Sequence, residues 1–319
     1  MPHGKAEVQA ALLRISTKQS IMKFFLPLLL LFFLTEIAVA QLISWRDLIE
    51  GELPQPDERI YYGTAEHMFG ELWLPEGDAH TSVILFHGGC WQKIYPGVEI
   101  MNHMANALKE AGFAVWNVEY SRMDRDGVGY PNTFRSAIFG SDYFNRVASD
   151  HGLRKDRVIV AGHSAGGHLA TWLAARNNLP KESPLRMDIY GDIHEKLELH
   201  GIISLAGIND LQRYSNYGAS SCGSETVKKL IDYENRGSDA YLDTSPVELL
   251  PLGVPFVEVS AAFDAPVPPF FGYHFANMAR SAGDDVTHIL LPEAGHFEMI
   301  APWSEEWQQI LNLFINLLD

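Results

Sequence analysis

The segment around Ser164 limits the fold of this 319-residue chain more than any other. Residues 162–166 read Gly-His-Ser-Ala-Gly, with an apolar run before them at 157–161 and an apolar stretch after them at 169–174. That context is typical of a strand, a sharp turn and a helix. A turn this tight strains the serine backbone, and glycines two residues away on either side prevent clashes. The serine hydroxyl is then exposed at the head of a helix, whose N–H groups point toward it.

A second motif, His-Gly-Gly-Cys-Trp at residues 87–91, ends the apolar run 83–86. Paired glycines leave backbone N–H groups free to approach a ligand, and acyl transfer needs such donors where a carbonyl oxygen becomes an oxyanion. We therefore predict an oxyanion hole from the N–H groups near Gly89 and Cys90, together with that of Ala165. An ordinary strand-ending turn is the alternative interpretation of the paired glycines.

Two further polar residues follow predicted strands. Asp264 lies in the turn after an apolar run that starts at Val257, and His296 follows the predicted strand 287–291. Ser164, Asp264 and His296 come in the order nucleophile, acid, base, with gaps of 100 and 32 residues, which is one of the known chain orders of a Ser-His-acid triad. Open α/β sheets bind ligands where the carboxyl ends of strands meet, so we expect these three side chains to converge.

Together these motifs resemble the α/β-hydrolase superfamily. Within it, the His-Gly-Gly-x-Trp loop and the Gly-His-Ser-Ala-Gly-Gly-His-Leu stretch are similar to those of kynurenine formamidases and feruloyl-esterase-like carboxylesterases. The resemblance covers about residues 58–318. It implies a mostly parallel central sheet with helices on both faces, and it implies that Ser164, His296 and Asp264 form the catalytic triad.

Asp210 is a rival acid, because it follows the strand predicted at 201–206 and related hydrolases place the acid after either strand. Asp264 is favoured, since its Phe-Asp-Ala-Pro-Val-Pro turn matches the family pattern and its gap to His296 is typical. Four other polar residues beside the motifs have plainer expected roles. Glu293 and Glu298 should be solvated or support the base, and His163 and His168 should pack or cap a helix.

Predicted strands alternate with predicted helices, of which two span residues 98–110 and 134–151. This alternation predicts one α/β catalytic domain over residues 41–319. The polar segment 208–250 breaks this alternation and contains one plausible helix, 225–233. We predict that it forms a partial lid, with a plain structural insertion as the alternative. Aromatic residues lie near the motifs in sequence, and about half of them should line an apolar pocket: Trp91, Tyr95, Tyr120, Tyr130, Tyr214, Tyr217, Phe263, Phe270, Phe271 and Phe297.

Residues 1–40 have the layout of a signal peptide with an N-terminal extension. Lys23 precedes the apolar stretch 24–34, and Ala-Val-Ala at 38–40 fits a cleavage site before Gln41. The prediction is a secreted or periplasmic protein with no stable membrane span after processing. An uncleaved anchor is the alternative, and translation could start at Met1 or at Met22.

Charge and cysteine content exclude several classes of protein. The net charge is −16, which argues against binding to nucleic acid or to anionic membranes. Cys90 and Cys222 could pair in an exported protein, although two buried free thiols are the simpler expectation. Two isolated cysteines and the lack of His-x-x-x-His and Cys-x-x-Cys patterns indicate no metal site, and the predicted chemistry needs no cofactor.

The sequence therefore predicts an exported serine hydrolase that cleaves carboxylic esters through an acyl-enzyme intermediate. The substrate should be a small ester with an apolar or aromatic group. An arylformamidase and a small peptidase of the prolyl-oligopeptidase kind remain alternatives that use the same groups. A non-catalytic binding module is disfavoured, because every member of the triad is present.

Overall fold

Runs of β-branched and aromatic residues build the central strands, and they form one eight-stranded sheet in the described part of the chain. The strands are β1 (Glu58–Tyr61), β2 (Phe69–Trp73), β3 (Thr81–Phe86), β4 (Phe113–Val118), β5 (Val158–His163), β6 (Gly201–Leu205), β7 (Phe256–Ala261) and β8 (Val286–Leu291). Their order is β1-β2-β4-β3-β5-β6-β7-β8. The pairs β1–β2 and β2–β4 are antiparallel, and the remaining pairs of the sheet are parallel.

This computed structural model describes residues 42–79, 81–124, 127–186, 196–217 and 221–317. The predicted signal peptide and extension, residues 1–40, lie outside the described residues, and their processing stays a prediction. Residues from Leu42 onward belong to one compact unit. Within the described residues, no helix is long and apolar enough to cross a membrane.

Helices cover both faces of the sheet, which explains why every residue of β3 to β7 is buried. The α-helices are α1 (Asn102–Glu110), α2 (Asn132–Asp142), α3 (Phe144–His151), α4 (Ala165–Ala175), α5 (Leu211–Asn216), α6 (Ser224–Leu230), α7 (Tyr233–Arg236), α8 (Phe270–Ala282) and α9 (Trp307–Asn316). Short 3₁₀ turns occupy Val98–Met101, Arg176–Asn178, Gly237–Tyr241, Pro246–Leu249 and Glu298–Ile300. The α/β-hydrolase architecture predicted from the sequence is confirmed.

Two predicted helices are divided in the structure. The helix expected over 134–151 is interrupted at Tyr143, where the Gly140 carbonyl instead accepts the indole N–H of Trp116 at 2.9 Å. The helix expected over 225–233 ends at Leu230, because Asp232 has a φ of 57° and cannot continue a right-handed helix. Local hydrophobic patterns predicted these helices but not the tertiary contact or the backbone reversal that ends them.

The 208–250 segment lies against helix α4. The indole N–H of Trp172 donates to the Asp243 carbonyl at 2.8 Å, and a ring nitrogen of His168 lies 2.9 Å from the Thr244 carbonyl. Helices α5, α6 and α7 all belong to this segment. Its function as a lid stays a prediction.

Register brings the strand ends to one edge of the sheet. Phe86 of β3 pairs with Gly162 of β5, and His163 pairs with Leu205 of β6. Strands β7 and β8 end together, since Ala261 pairs with Leu291. The loops that follow these strands therefore meet at their carboxyl ends, where a doubly wound sheet binds its ligands.

Candidate active site

Ser164 occupies the turn between β5 and α4 in a strained conformation. Its φ and ψ are 56° and −117°, and its backbone N–H donates to the Leu205 carbonyl at 2.8 Å. A side chain on Gly162 would collide with the Gly166 carbonyl, and one on Gly166 would collide with the Phe86 carbonyl. The spacing of glycines therefore reflects close backbone approach, and it confirms the strand–turn–helix context predicted for this serine.

Asp264 and His296 form a hydrogen-bonded pair beside this serine. Nδ1 of His296 donates to Oδ2 of Asp264 over 2.7 Å, and both side chains are almost fully buried. The other carboxylate oxygen of Asp264 accepts the N–H of Val267 at 2.7 Å, which fixes the carboxylate in its turn. Because Nδ1 carries the proton toward Asp264, Nε2 of His296 is the nitrogen left to accept a proton.

The rival acid Asp210 has a different role. Its carboxylate accepts the backbone N–H of Arg213 at 2.9 Å and caps α5, and it lies 3.4 Å from Nε2 of His274. Both Asp210 and His274 line a separate surface groove of about 560 Å³. The structure therefore pairs His296 with Asp264.

Glu298 supports the loop that carries His296. Its two carboxylate oxygens accept the N–H groups of Gly295 at 2.9 Å and Ile43 at 2.5 Å. The side chain is buried, whereas Glu293 is exposed. Glu298 thus ties the base loop to the residues that open the described chain, and Glu293 is solvated.

The sequence predicts only packing or helix capping for His163, but the residue contacts the loop of His296 directly. Its Nε2 donates to the carbonyl of His296 over 2.8 Å, and the two rings lie 4.4 Å apart. Burial, and then the nearby His296, hold the pKa of His163 well below its ordinary value, so the ring is neutral. The sequence does contain a signal for this contact. His163 directly precedes Ser164 and is the last residue of the buried strand β5, so its side chain lies where the loops after neighbouring strands meet.

His168, in contrast, has the packing role that the sequence predicts. Burial lowers the pKa of His168 to about 4, and the ring lies edge-on to Trp91 at 5.2 Å. Its hydrogen bond to Thr244 joins α4 to the 208–250 segment.

The predicted oxyanion loop has an unusual backbone. Gly89, Cys90 and Trp91 have φ values of 100°, 51° and 57°, three successive residues in the left-handed region. Gly88 lies so close to Ser164 that an added Cβ would stand 3.3 Å from the serine Cβ. Ala165, the third predicted donor, is the first residue of α4, where N–H groups have no partner within the helix. The loop and the start of α4 thus both lie next to Ser164.

A buried ionic cluster holds both ends of this loop. Glu119 lies 3.0 Å from Nε2 of His87 and 3.1 Å from Nε of Arg122, which in turn donates to the Tyr95 carbonyl at 2.8 Å. Burial acts to raise the pKa of Glu119, but the charge and hydrogen bond of His87 and the charge of Arg122 outweigh it and lower the pKa. Glu119 is not among the site residues predicted from the sequence, although its place directly after the apolar run of β4 is a usable signal.

The two cysteines are not free thiols. Cys90 and Cys222 form a disulfide with their Cα atoms 5.4 Å apart. The expectation of two buried free thiols is wrong, because the fold brings residues 132 positions apart in the sequence into contact. The bond joins the oxyanion loop to the start of α6.

A pocket with a volume of about 260 Å³ opens beside Ser164 and His296. Of the ten aromatic residues near the motifs, only Tyr95 and Phe297 line it, so the prediction that about half would do so is wrong. Trp91 and Tyr120 belong to the core instead, and Tyr217, Phe270 and Phe271 line the separate groove. Apart from two serines and two histidines, the described residues that line the pocket are apolar or aromatic. The full lining is Trp45, Gly89, Cys90, Tyr95, Pro96, Ile100, His163, Ser164, Ser221, Cys222, Pro266, His296 and Phe297. The pocket therefore suits a neutral, apolar group.

Among the described residues, no group of three or more His, Cys, Asp or Glu side chains is placed to hold a metal ion. The polar groups near Ser164 are instead arranged around one nucleophile, one imidazole and one carboxylate.

Comparison with known proteins identifies the fold and the family. The chain is 28% identical over 144 residues to probable carboxylesterase 4, mitochondrial, from Arabidopsis thaliana, a match that covers 39% of this chain and 37% of that protein. It therefore spans little more than a third of that relative's length.

Solved esterases share the fold. A truncated carbohydrate esterase from gut microbiota has a TM-score of 0.69 at 18% identity, covering 84% of this chain and 99% of the other. Esterase B from Lactobacillus rhamnosis has a TM-score of 0.69 at 17% identity, covering 98% and 96%. The same esterase B inhibited with a tributyrin phosphonate has a TM-score of 0.67 at 16% identity, covering 99% and 97%. These similarities establish an α/β-hydrolase fold.

The family model described as BD-FAE matches residues 71–270, which include the oxyanion loop, Ser164 and Asp264. This match covers more than half of the chain, and the proteins similar to it are esterases. The chain belongs to the BD-FAE family of α/β-hydrolase-like proteins.

Proposed function

We propose that this protein is a serine esterase that hydrolyses small carboxylic esters through an acyl-enzyme. One observation carries the proposal: the hydrogen-bonded pair of His296 and Asp264 opens onto the same pocket as the strained Ser164. That arrangement supplies a nucleophile, a base and a group that orients the base.

In the proposed reaction, Ser164 Oγ attacks the ester carbonyl carbon while Nε2 of His296 accepts its proton. Asp264 holds the imidazole tautomer and stabilises the imidazolium that forms. Backbone N–H groups of Gly89, Cys90 and Ala165 stabilise the oxyanion. His296 then protonates the leaving alcohol, and water releases the acyl group by the same steps in reverse.

The substrate is proposed to present a neutral, apolar or aromatic group to the pocket. The described lining contains no Asp, Glu, Lys or Arg side chain, and Trp45, Tyr95 and Phe297 provide ring surfaces. Inhibition of the structurally similar esterase B by a tributyrin phosphonate supports the chemistry, since a phosphonate reacts with an activated serine.

We also propose that the protein acts outside the reducing cytosol. The disulfide supports export, because such bonds persist mainly in oxidising compartments. The signal-peptide pattern ending at Ala40 supports the same location. N-terminal sequencing of protein recovered outside the cytoplasm should begin at Gln41, whereas a full-length cytoplasmic product would contradict export.

The decisive experiment combines labelling with a substrate panel. Mass spectrometry after treatment with a fluorophosphonate should locate the adduct on Ser164, and Ser164→Ala should lower kcat by roughly 10³-fold or more. The exposed Ser149→Ala is the matched control and should keep full activity. The panel contains p-nitrophenyl esters of rising chain length, feruloyl esters and N-formylkynurenine. Preferential cleavage of the formamide, or turnover without Ser164, would overturn the proposal.

A further inference from the structure

We propose that the Cys90–Cys222 disulfide is a positioning element of the oxyanion loop, required to hold its N–H donors where the reaction develops negative charge. The inference rests on the proposed esterase function. Cys90 is itself a predicted oxyanion donor, and both cysteines line the pocket that contains Ser164.

The loop conformation needs external support. Cys90 and Trp91 have φ values of 51° and 57°, in the left-handed region that side chains other than glycine rarely adopt because Cβ lies too close to the following carbonyl oxygen. Such strain persists only where the surrounding structure holds the backbone in place. The contacts of the loop therefore decide whether the donors keep their direction.

Each residue after Gly89 is held by a different contact. Trp91 is fully buried, and its carbonyl accepts the N–H of Met123 at 2.7 Å. Gln92 donates from its side chain to Oγ1 of Thr226 at 2.8 Å. Cys90 is held by its covalent bond to Cys222, two residues before α6 begins. Residues 90 and 92 are thus both joined to the same short stretch of the 208–250 segment.

Loss of the disulfide should therefore act on the transition state more than on substrate binding. Trp91 and Gln92 would keep their contacts, so the pocket would persist, but the backbone at Cys90 could leave the left-handed region. An N–H that turns away removes stabilisation of the oxyanion and leaves the ground-state contacts of the acyl group in place.

The experiment compares oxidised protein, protein reduced with a phosphine, and the Cys90→Ala/Cys222→Ala variant. Reduction converts the disulfide to two thiols with two electrons and two protons, while the phosphine becomes a phosphine oxide with oxygen from water. Thiol titration confirms two free thiols, and near-UV circular dichroism selects a temperature at which the reduced protein stays folded. Reduced protein answers the question even if the double variant does not fold.

We expect kcat to fall between about 10-fold and 10²-fold, approaching the loss of one oxyanion donor, with KM changed less than about threefold. The inhibition constant of a trifluoromethyl ketone, whose adduct carries the oxyanion, should rise by the same factor as kcat/KM falls. Reoxidation should restore both. Lys228→Ala, which removes an exposed ion pair on α6, is the control and should change neither.

Folded, fully reduced protein with unchanged kcat and unchanged ketone inhibition would overturn the inference. A fall in activity that tracks unfolding, without a change in ketone affinity of the remaining folded protein, would also overturn it. Failure of the proposed esterase function can be distinguished from failure of this inference. In the former case, oxidised wild-type protein would show neither ester hydrolysis nor labelling of Ser164.

Discussion

The carboxyl edge of the sheet and the 208–250 segment build the site by different means. At the edge, backbone register brings the ends of β5, β7 and β8 together, and Ser164, Asp264 and His296 follow those ends directly. The 208–250 segment is attached mainly through side chains, including the disulfide and the Gln92–Thr226 hydrogen bond. The difference teaches that the placement of the predicted triad depends on the sheet, whereas the position of the segment depends mostly on individual side-chain contacts.

Asp243 shows how strongly the segment relies on such contacts. Its buried carboxylate accepts from Arg236 at 2.6 Å and from Ser183 at 2.7 Å, while its carbonyl accepts the indole N–H of Trp172. Arg236 also lies over the ring of Tyr130 at 3.7 Å. Substitutions of Ser164, Asp264 or His296 should therefore reduce activity, whereas breaking the buried Arg236–Asp243 ion pair of the segment should reduce stability.

The largest effect is expected at the edge. Asp264→Asn should lower kcat on the order of 10⁴-fold, because an amide would favour the wrong tautomer of His296. Asp210→Asn is the matched control, since Asp210 caps α5 and should leave kcat nearly unchanged. Steady-state kinetics on a p-nitrophenyl ester measures kcat of both variants. A greater loss of kcat in Asp210→Asn would show that Asp210, after the earlier strand, is the acid of the triad.

Arg236→Met tests the segment. Removing Arg236 leaves the buried Asp243 carboxylate without its cation, which should cost about 3–5 kcal/mol of unfolding free energy. Urea unfolding measures the change. Arg154→Met removes an exposed pair with Asp156 and should leave the unfolding midpoint almost unchanged. If Arg236→Met lost activity but kept its unfolding free energy, the Arg236–Asp243 pair would act on catalysis rather than on stability, which would contradict the comparison.

His163→Leu sharpens the comparison, because His163 belongs to the edge and contacts His296 without being a member of the predicted triad. Loss of its hydrogen bond to the His296 carbonyl should let the base loop shift and lower kcat on the order of 10²-fold, with little change in KM. His163→Gln can still donate from its side chain and should recover part of the rate. Equal losses in both variants would point to packing rather than to the hydrogen bond.

The smallest effect concerns pH and His168, which joins the two regions. Burial holds the pKa of His168 at about 4 in the folded protein, whereas an unfolded histidine titrates near 6.5. Below pH 6.5 the unfolded chain binds a proton that the folded chain does not. Stability should therefore fall as pH drops from 6.5 toward 4, by up to about 1.4 kcal/mol per pH unit.

The His168→Gln variant isolates this contribution, because it lacks the titrating ring. Its unfolding free energy should depend less steeply on pH than that of the wild type when both are measured in urea at pH 7 and pH 5. Parallel slopes would show that the pKa of His168 is not lowered in the folded protein.

The sequence predicted the edge better than the segment. Glycine spacing around Ser164 and the turns that carry Asp264 and His296 are local patterns, and parallel register brings them together without further information. The pairing of Cys90 with Cys222 and the links from Glu119 to both ends of the oxyanion loop depend on residues distant in sequence. The division of the predicted helix at Tyr143 also needed a tertiary partner, Trp116.

The first described residues, Leu42 to Trp45, have a practical consequence. Chain ends usually tolerate added residues, but cleavage before Gln41, as predicted, would leave an end beside which the Ile43 N–H is bonded to Glu298 and the Trp45 ring lines the pocket. A purification tag fused immediately before these residues would disturb both the loop that carries His296 and the wall of the pocket. Kinetic constants from such a fusion would describe an altered enzyme, so a removable tag placed at the other end of the chain is the better choice for every measurement proposed above.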